Sequence, residues 1–293
     1  YKAYKDDGNI VNWNHKTNDW TRSAGGSVVL KILHNSQNMT AEFLKEVYFH
    51  KLFNFPIVTS NGISQDPITK NYLMVIDFID GSNMRKYLKD NFNQIYLNDK
   101  LYLLNRIVEG LKEIHEKGYV HKDLHPGNIL IYSRWECRIT DLGLCQPVSN
   151  QSDKQNVYGV IPYVAPEVLK GKDYTPESDI YSFGIIAHEM LNELPTYHDL
   201  PHDVFLVMKI CKGLRPKFKR KVPRLLEQLI DQCLDANPSA RPTANELCQK
   251  LQKLINYILN DHDAEFTKQY NEAIEFNKKS LSMELNTNPN PQA

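Results

Sequence analysis

Tyr119-Val120-His121-Lys122-Asp123-Leu124-His125-Pro126-Gly127-Asn128 opens the stretch whose reading decides the fold, and Ile139-Thr140-Asp141-Leu142-Gly143-Leu144 closes it. Between them, Ile129 to Tyr132 reads as a short buried strand, Ser133 to Glu136 as a turn, and Cys137 to Thr140 as a second strand. Asp123, Asn128 and Asp141 therefore stand at the ends of one hairpin, presented together at one edge. Their oxygens suit a hard cation such as Mg2+. A rival reading takes His121 and His125, spaced i, i+4, as a zinc pair on a helix. That pair needs an unbroken helix, and Pro126-Gly127 ends any helix there.

The stretch His121 to Asn128 resembles the catalytic loop H-R-D-L-x-x-x-N of eukaryotic protein kinases. Asp141-Leu142-Gly143 is similar to their D-F-G, and Ala165-Pro166-Glu167 matches their A-P-E without change. The order and spacing match as well. The resemblance runs from about Tyr1 to about Leu259 and is closest to the tyrosine-kinase-like group. It implies an α+β, two-lobed fold: a small antiparallel-sheet lobe over residues 1–80 including the hinge, then a large, mainly helical lobe over 81–260. Residues 261–293 remain as a C-terminal extension. Tyr1-Lys2-Ala3 resembles the segment just after the kinase glycine loop, so the first strand and that loop are expected before residue 1.

Composition narrows the alternatives. The 293 residues suffice for one large two-lobed unit with an ample core. Thirty-five basic and thirty-five acidic residues cancel, which leaves no global footprint for nucleic acid. No apolar run approaches the ~20 residues of a membrane span, and no signal peptide is visible. The five cysteines, Cys137, Cys145, Cys211, Cys233 and Cys248, form no C-x-x-C. They read as reduced core thiols of a cytoplasmic protein. Nothing in the sequence fixes an oligomeric state.

Outward from the central stretch, Tyr1 to Lys5 can form a strand, with a turn at Asp6 to Asn9 and a polar stretch holding Trp13 and Trp20 after it. Ser27 to Leu33 is a β-branched strand. Thr40 can cap a helix carrying Phe43, Glu46 and Val47. Ile57-Val58 and Tyr72 to Ile79 read as strands about an Asp66-Pro67 turn. Gly81-Ser82 starts an amphipathic helix. Leu101, Leu104, Val108, Leu111 and His115 mark a helix buried on one face and stopped by Gly118. Asp179 to Ile186 is apolar nearly all round, so it belongs inside a core. Arg215, Lys217, Lys219, Arg220 and Lys221 form a basic run, read as a solvated face. Asn286 to Ala293 is expected to be disordered.

The kinase resemblance implies roles for named residues. Lys31 would grip the ATP phosphates and be steadied by Glu46, with Glu42 as the fallback partner. Asp141 and Asn128 would hold Mg2+, and Asp123 would orient the substrate hydroxyl and take its proton. Ile76 would line the back of the adenine pocket, with Asp77-Phe78-Ile79 as the hinge. Asp179 would bond the catalytic-loop backbone, and Arg241 would pair with Glu167. The partners implied are ATP and a protein substrate, with transfer to serine or threonine; a pseudokinase that only binds or scaffolds is the alternative. Ser149, Ser152 and Tyr158 are candidate phosphosites between the DLG and APE motifs. Several positions depart from the pattern. Lys122 replaces the usual arginine, which forfeits a planar fork for phosphate. Leu142 replaces Phe. His125 and Val160 stand where serine/threonine kinases carry Lys and Thr.

Overall fold

The computed structural model describes residues 1–6, 8, 10–32, 40–91, 94–149, 157–260 and 263–287. The small lobe comprises β1 (Lys2–Lys5), β2 (Ile10–Asn14), β3 (Asp19–Arg22), β4 (Gly26–Ile32), α1 (Ala41–Leu52), β5 (Ser60–Gln65) and β6 (Tyr72–Asp77). Four of the strands form an antiparallel sheet in the order β1-β4-β6-β5, with Lys31 opposite Met74. Alternation along β4 and β6 puts Val29, Met74 and Ile76 on one face of the sheet. Met74 and Ile76 meet Phe43 and Val47 of α1 there, together with Val58. The Thr40 hydroxyl caps α1 by accepting from Phe43 N, so the helix starts where its sequence signals it.

The large lobe begins with β7 (Ser82–Asn83), α2 (Met84–Asp90) and α3 (Leu97–Glu116). Four short strands follow: β8 (Tyr119–Val120), β9 (Ile129–Ile131), β10 (Cys137–Ile139) and β11 (Gln146–Pro147). Then come the helices α4 (Pro166–Leu169), α5 (Pro176–Asn192), α6 (Val204–Cys211), α7 (Arg224–Cys233), α8 (Ala244–Asn260) and α9 (Ala264–Thr287). Every residue of α5 from Ser178 to Asn192 is buried. A Cβ on its Gly184 would lie 2.8 Å from Leu234 Cδ2, so the glycine lets the end of α7 close on α5. Helix α3 buries Leu101, Leu104, Val108 and Leu111, and Gly118 follows it at φ +79°. The result is the two-lobed α+β architecture of the kinase fold.

Several elements differ from their sequence reading. The polar stretch around Trp13 and Trp20 is a β2–β3 hairpin, its tryptophans paired edge to face at 4.9 Å. Ile57-Val58 is not a strand. Ile57 makes only a parallel bridge to Ile139, and the strand is the polar Ser60–Gln65. Strand β6 ends at Asp77 rather than Ile79, and the helix expected from Gly81 starts at Met84 behind an Asn83 cap. The basic run is only partly a solvated face. Arg215 donates to the carbonyls of Leu234, Ile210 and Leu214, and Lys221 pairs with Glu272 of α9. The disorder expected from Asn286 is corrected for two residues, since α9 continues to Thr287; residues 288–293 lie outside the described residues. Leu33 and Ser152 lie outside them too. Among the described residues no helix is long and apolar enough to cross a membrane. The five cysteines are free, and burial pushes the Cys233 thiol up to about 12 and Cys248 to about 11, which suits inert packing.

Candidate active site

The loop between β8 and β9 is hung on the buried helix α5. Asp179, in its first turn, accepts from the backbone N–H of His121 at 2.8 Å and of Lys122 at 3.1 Å, and meets His115 Nε2 at 2.9 Å. Lys122 takes φ +72°, a left-handed conformation that a non-glycine residue keeps only when its surroundings enforce it. His121 is fully buried. Its Nδ1 accepts from Asp123 N at 3.2 Å and its Nε2 faces Thr140 O at 3.4 Å. Burial pushes its pKa down, which favours the neutral ring these contacts need. His121 and His125 share no helix, and among the described residues no group of three His, Cys, Asp or Glu could hold a metal ion.

Asp123 and Asn128 meet at the mouth of this loop. Asn128 Nδ2 donates to the Asp123 carbonyl at 3.0 Å and to its Oδ2 at 3.3 Å. The amide orientation turns the Asn128 carboxamide oxygen away from Asp123. The His125 ring, 3.7 Å from Asp123 Oδ2, holds the Asp123 carboxyl below its ordinary range against the opposing effect of burial. That distance is longer than a hydrogen bond. The Asn128 backbone carbonyl also accepts from Thr140 N at 2.9 Å, which ties the loop to the chain entering Asp141.

A second cluster forms across the cleft. Lys31 Nζ on β4 lies 2.6 Å from Glu46 Oε1 on α1 and 3.0 Å from Asp141 Oδ1. Glu42 is exposed and takes no part. Burial opposes the charge on Lys31, but the two carboxylates outweigh it and hold its pKa above the ordinary value. Asp141 takes φ +60° and stays half exposed, while Leu142 beside it is fully buried in the large-lobe core. Leucine thus fills the apolar site expected of phenylalanine. An exposed Asp141 carboxylate and the Asn128 carboxamide oxygen are hard donors in small number. They fit Mg2+, which keeps waters and takes phosphate oxygens for the rest of its octahedron.

The chain between β6 and β7 joins the small lobe to the large one. Ile76 is buried in the small-lobe core; Asp77 accepts from Asn61 Nδ2 at 2.9 Å and faces Arg138 at 3.4 Å. Lys2 Nζ lies 3.9 Å from the centre of the Phe78 ring. Ile79 O accepts from Gly81 N, and its own N–H makes no backbone hydrogen bond among the described residues.

The chain returning to Ala165-Pro166-Glu167 passes over Lys122, whose Nζ sits 4.8 Å from the Tyr174 ring centre, 5.4 Å from that of Tyr158, and 3.1 Å from Gln146 Oε1. The Tyr174 hydroxyl accepts from Tyr158 N at 2.8 Å and donates to Tyr158 O at 2.6 Å. Glu167 is held by both outer nitrogens of Arg241, at 2.7 and 2.8 Å. The protein kinase domain model matches residues 18–251.

The chain belongs to the protein kinase domain family. It is 31% identical over 157 residues to the probable serine/threonine-protein kinase mkcD of Dictyostelium discoideum, a match covering 53% of this chain and 24% of that one. It is 29% identical over 202 residues to the tyrosine-protein kinase SPK-1 of Girardia tigrina, covering 67% and 40%. It is 30% identical over 172 residues to the probable serine/threonine-protein kinase PknB of Lactococcus lactis, covering 56% and 27%. The matched stretch spans less than half the length of each of these relatives.

Within this kinase domain, sequence reasoning missed Tyr174 and Gly127. Tyr174 reaches Tyr158 only through the path of the loop between them, and no spacing rule reports that. Gly127 carries a signal only once the His125 ring is seen beside it.

Proposed function

We propose that this domain is an active ATP-dependent protein kinase that transfers the γ-phosphoryl group to a serine or threonine hydroxyl of a protein in a signalling pathway. Its loop HKDLHPGN supports a place near the tyrosine-kinase-like group. The observation carrying the reading is Lys31, which bonds Glu46 at 2.6 Å and Asp141 at 3.0 Å at once. One ammonium in contact with both carboxylates is an assembled cleft, in which Lys31 can meet the phosphates while Glu46 fixes its position.

Phosphoryl transfer asks for positioning and charge neutralisation more than covalent chemistry. Ile76 and the Asp77-Phe78-Ile79 segment would receive the adenine, with the Ile79 N–H as a donor. Asp141 and Asn128 would hold Mg2+, which neutralises phosphate charge when bound. Asp123 would accept the proton of the attacking hydroxyl, and its depressed pKa keeps it ionised to do so. Asp179 would hold the loop backbone in place through its hydrogen bonds to the N–H groups of His121 and Lys122.

Changing Asp123 to Asn tests the reading. Transfer of radiolabelled phosphate to a mixed protein substrate should fall by roughly 10²–10⁴-fold, the usual worth of a positioned base, while nucleotide affinity stays put. Near-normal turnover in the variant would remove Asp123 from the mechanism. Nucleotide binding without any transfer by the wild type would favour the pseudokinase reading.

A further inference from the structure

We propose that His125 is a positioning residue for the transfer reaction, its Nε2–H steering the Asp123 carboxylate and its own ring seated by the bare backbone of Gly127. The proposal rests on the kinase reading above and assigns a task to a residue that departs from the kinase pattern.

His125 is extended, at φ −153° and ψ 166°, and precedes the 3-10 turn Pro126–Asn128. Its Nδ1 accepts from Gly127 N at 3.0 Å. A ring nitrogen that accepts an N–H carries no proton of its own, so the neutral ring bears its proton on Nε2. That Nε2 lies 3.7 Å from Asp123 Oδ2. The gap is too long for a hydrogen bond as it stands, and catalytic contacts of this kind tighten when substrate is bound. Among the described residues, Asn128 and His125 alone bring polar side-chain atoms to the Asp123 carboxylate. On the other side Gly159 approaches Asp123 Oδ1, where a Cβ would stand 3.3 Å away, and Val160 beside it has no donor to offer.

Gly127 supplies the second observation. A Cβ there would lie 2.6 Å from His125 Cε1 and 2.9 Å from its Nδ1. The imidazole therefore occupies space that any other residue at 127 would fill. Gly127 has no positive φ, so the requirement comes from the ring and not from the backbone. The simpler role for His125 is a cap of the 3-10 turn. Asn, Asp or Ser makes a better cap, and none of them reaches from the turn to Asp123. The ring faces Asp123 on one side and the Tyr163 ring, centroids 6.1 Å apart, on the other; Glu189 and Arg85 lie behind, bonded to the Tyr163 hydroxyl.

Three variants of the full chain test the proposal. Gly127→Ala leaves every proposed catalytic group in place but displaces the ring; kcat should fall about 10- to 100-fold with little change in KM for ATP. His125→Asn keeps a good cap but cannot reach Asp123, so it should fall equally. Adding Gly127→Ala to His125→Ala should cost nothing further, because both act on one contact. In the protein without nucleotide, nitrogen-15 shifts of the His125 ring should show Nδ1 as acceptor and Nε2 protonated, a pattern lost in Gly127→Ala. Turnover by His125→Asn within twofold of wild type would reduce His125 to a cap and overturn the proposal. So would the opposite tautomer. A wild type that transfers phosphate with His125→Asn equally active refutes the His125 role alone; a wild type that transfers none refutes the kinase reading and the role together.

Discussion

Lys31 is two-fifths exposed at its side chain, yet it carries two carboxylate contacts, whereas the Arg241–Glu167 pair is sealed in the large lobe. The difference follows from use. A lysine proposed to meet phosphates keeps one side open to the cleft, while the bidentate arginine pair is satisfied internally and is costly to break from one side, by ~3–5 kcal/mol. Buried histidines give a separate, measurable consequence. His188 on α5 packs against Phe218, ring centroids 4.7 Å apart, and burial pushes its pKa from the ordinary 6.5 down to about 4. The unfolded chain takes up this proton near pH 6.5, and the folded protein refuses it until about pH 4. The stability tied to the neutral ring is therefore complete above pH 6.5 and drains away between 6.5 and about 4, by roughly 3 kcal/mol in all. His50 and His121 are lowered by burial as well and act in the same direction. Melting temperatures should fall on acidification through this window, and His188→Gln should flatten the fall. An unchanged acid slope in that variant would clear His188 of the effect.

Elements that bury a continuous face announced themselves; elements that complete someone else's surface did not. Helix α5 is apolar nearly all round from Asp179 to Ile186, and the spacing of Asp123, Asn128 and Asp141 about a hairpin set those three at one edge, while the places of Lys31 and Glu46 came from the kinase resemblance. Strand β5 is Ser-Asn-Gly-Ile-Ser-Gln, polar because it lies at a sheet edge and pairs only with β6. Helix α9 offers too little periodicity to be read, because among its described side chains Phe266 and Ala273 are the fully buried apolar ones. Phe266 lies 5.9 Å from the Tyr257 ring of α8. Phe266→Ala should destabilise the domain by ~3–5 kcal/mol, read as a lower urea midpoint; a variant of unchanged midpoint would make α9 a passive tail. The segment after β11 poses the converse case. Lys122 lacks the arginine fork, but its ammonium already lies against Tyr158 and Tyr174. The Tyr174 hydroxyl fixes the backbone of Tyr158 at both its N–H and its carbonyl. An anchor of this kind needs no phosphate. Phosphatase treatment should therefore leave most of the activity in place, and an enzyme silenced by phosphatase and revived by rephosphorylation at Ser149, Ser152 or Tyr158 would contradict it.

The two lobes share one apolar interior. Phe49 and Phe53 of α1, with Ile57 after it, belong to the same buried cluster as Leu111, Ile139 and Ile185 of the large lobe. Backbone bonds cross with them, from Val58 N to Ile139 O at 2.9 Å and from Ile139 N to Pro56 O at 3.0 Å. Polar contacts cross too, among them Lys31 to Asp141, Arg138 to Asp77 and Asn54 to Glu113. This division of labour was invisible in the sequence, where residues 57 and 139 are far apart and each read as part of its own strand. It also sets how a nucleotide must act on the whole molecule. Coupled lobes should unfold together, and a ligand seated between them stabilises both. At a hundredfold excess over Kd, Mg-ATP should add about 2.7 kcal/mol and raise the melting temperature of the single transition. Lys31 and the hinge segment are proposed to grip nucleotide without metal, and Asp141 to act through Mg2+. Asp141→Asn keeps the side-chain volume and loses the charge. It should therefore erase the extra shift that Mg2+ adds to ATP while leaving the shift by ATP alone. Equal magnesium-dependent shifts in wild type and Asp141→Asn would take the metal away from Asp141. Two separate melting transitions, with ATP moving only one, would mean that the shared core does not couple the lobes.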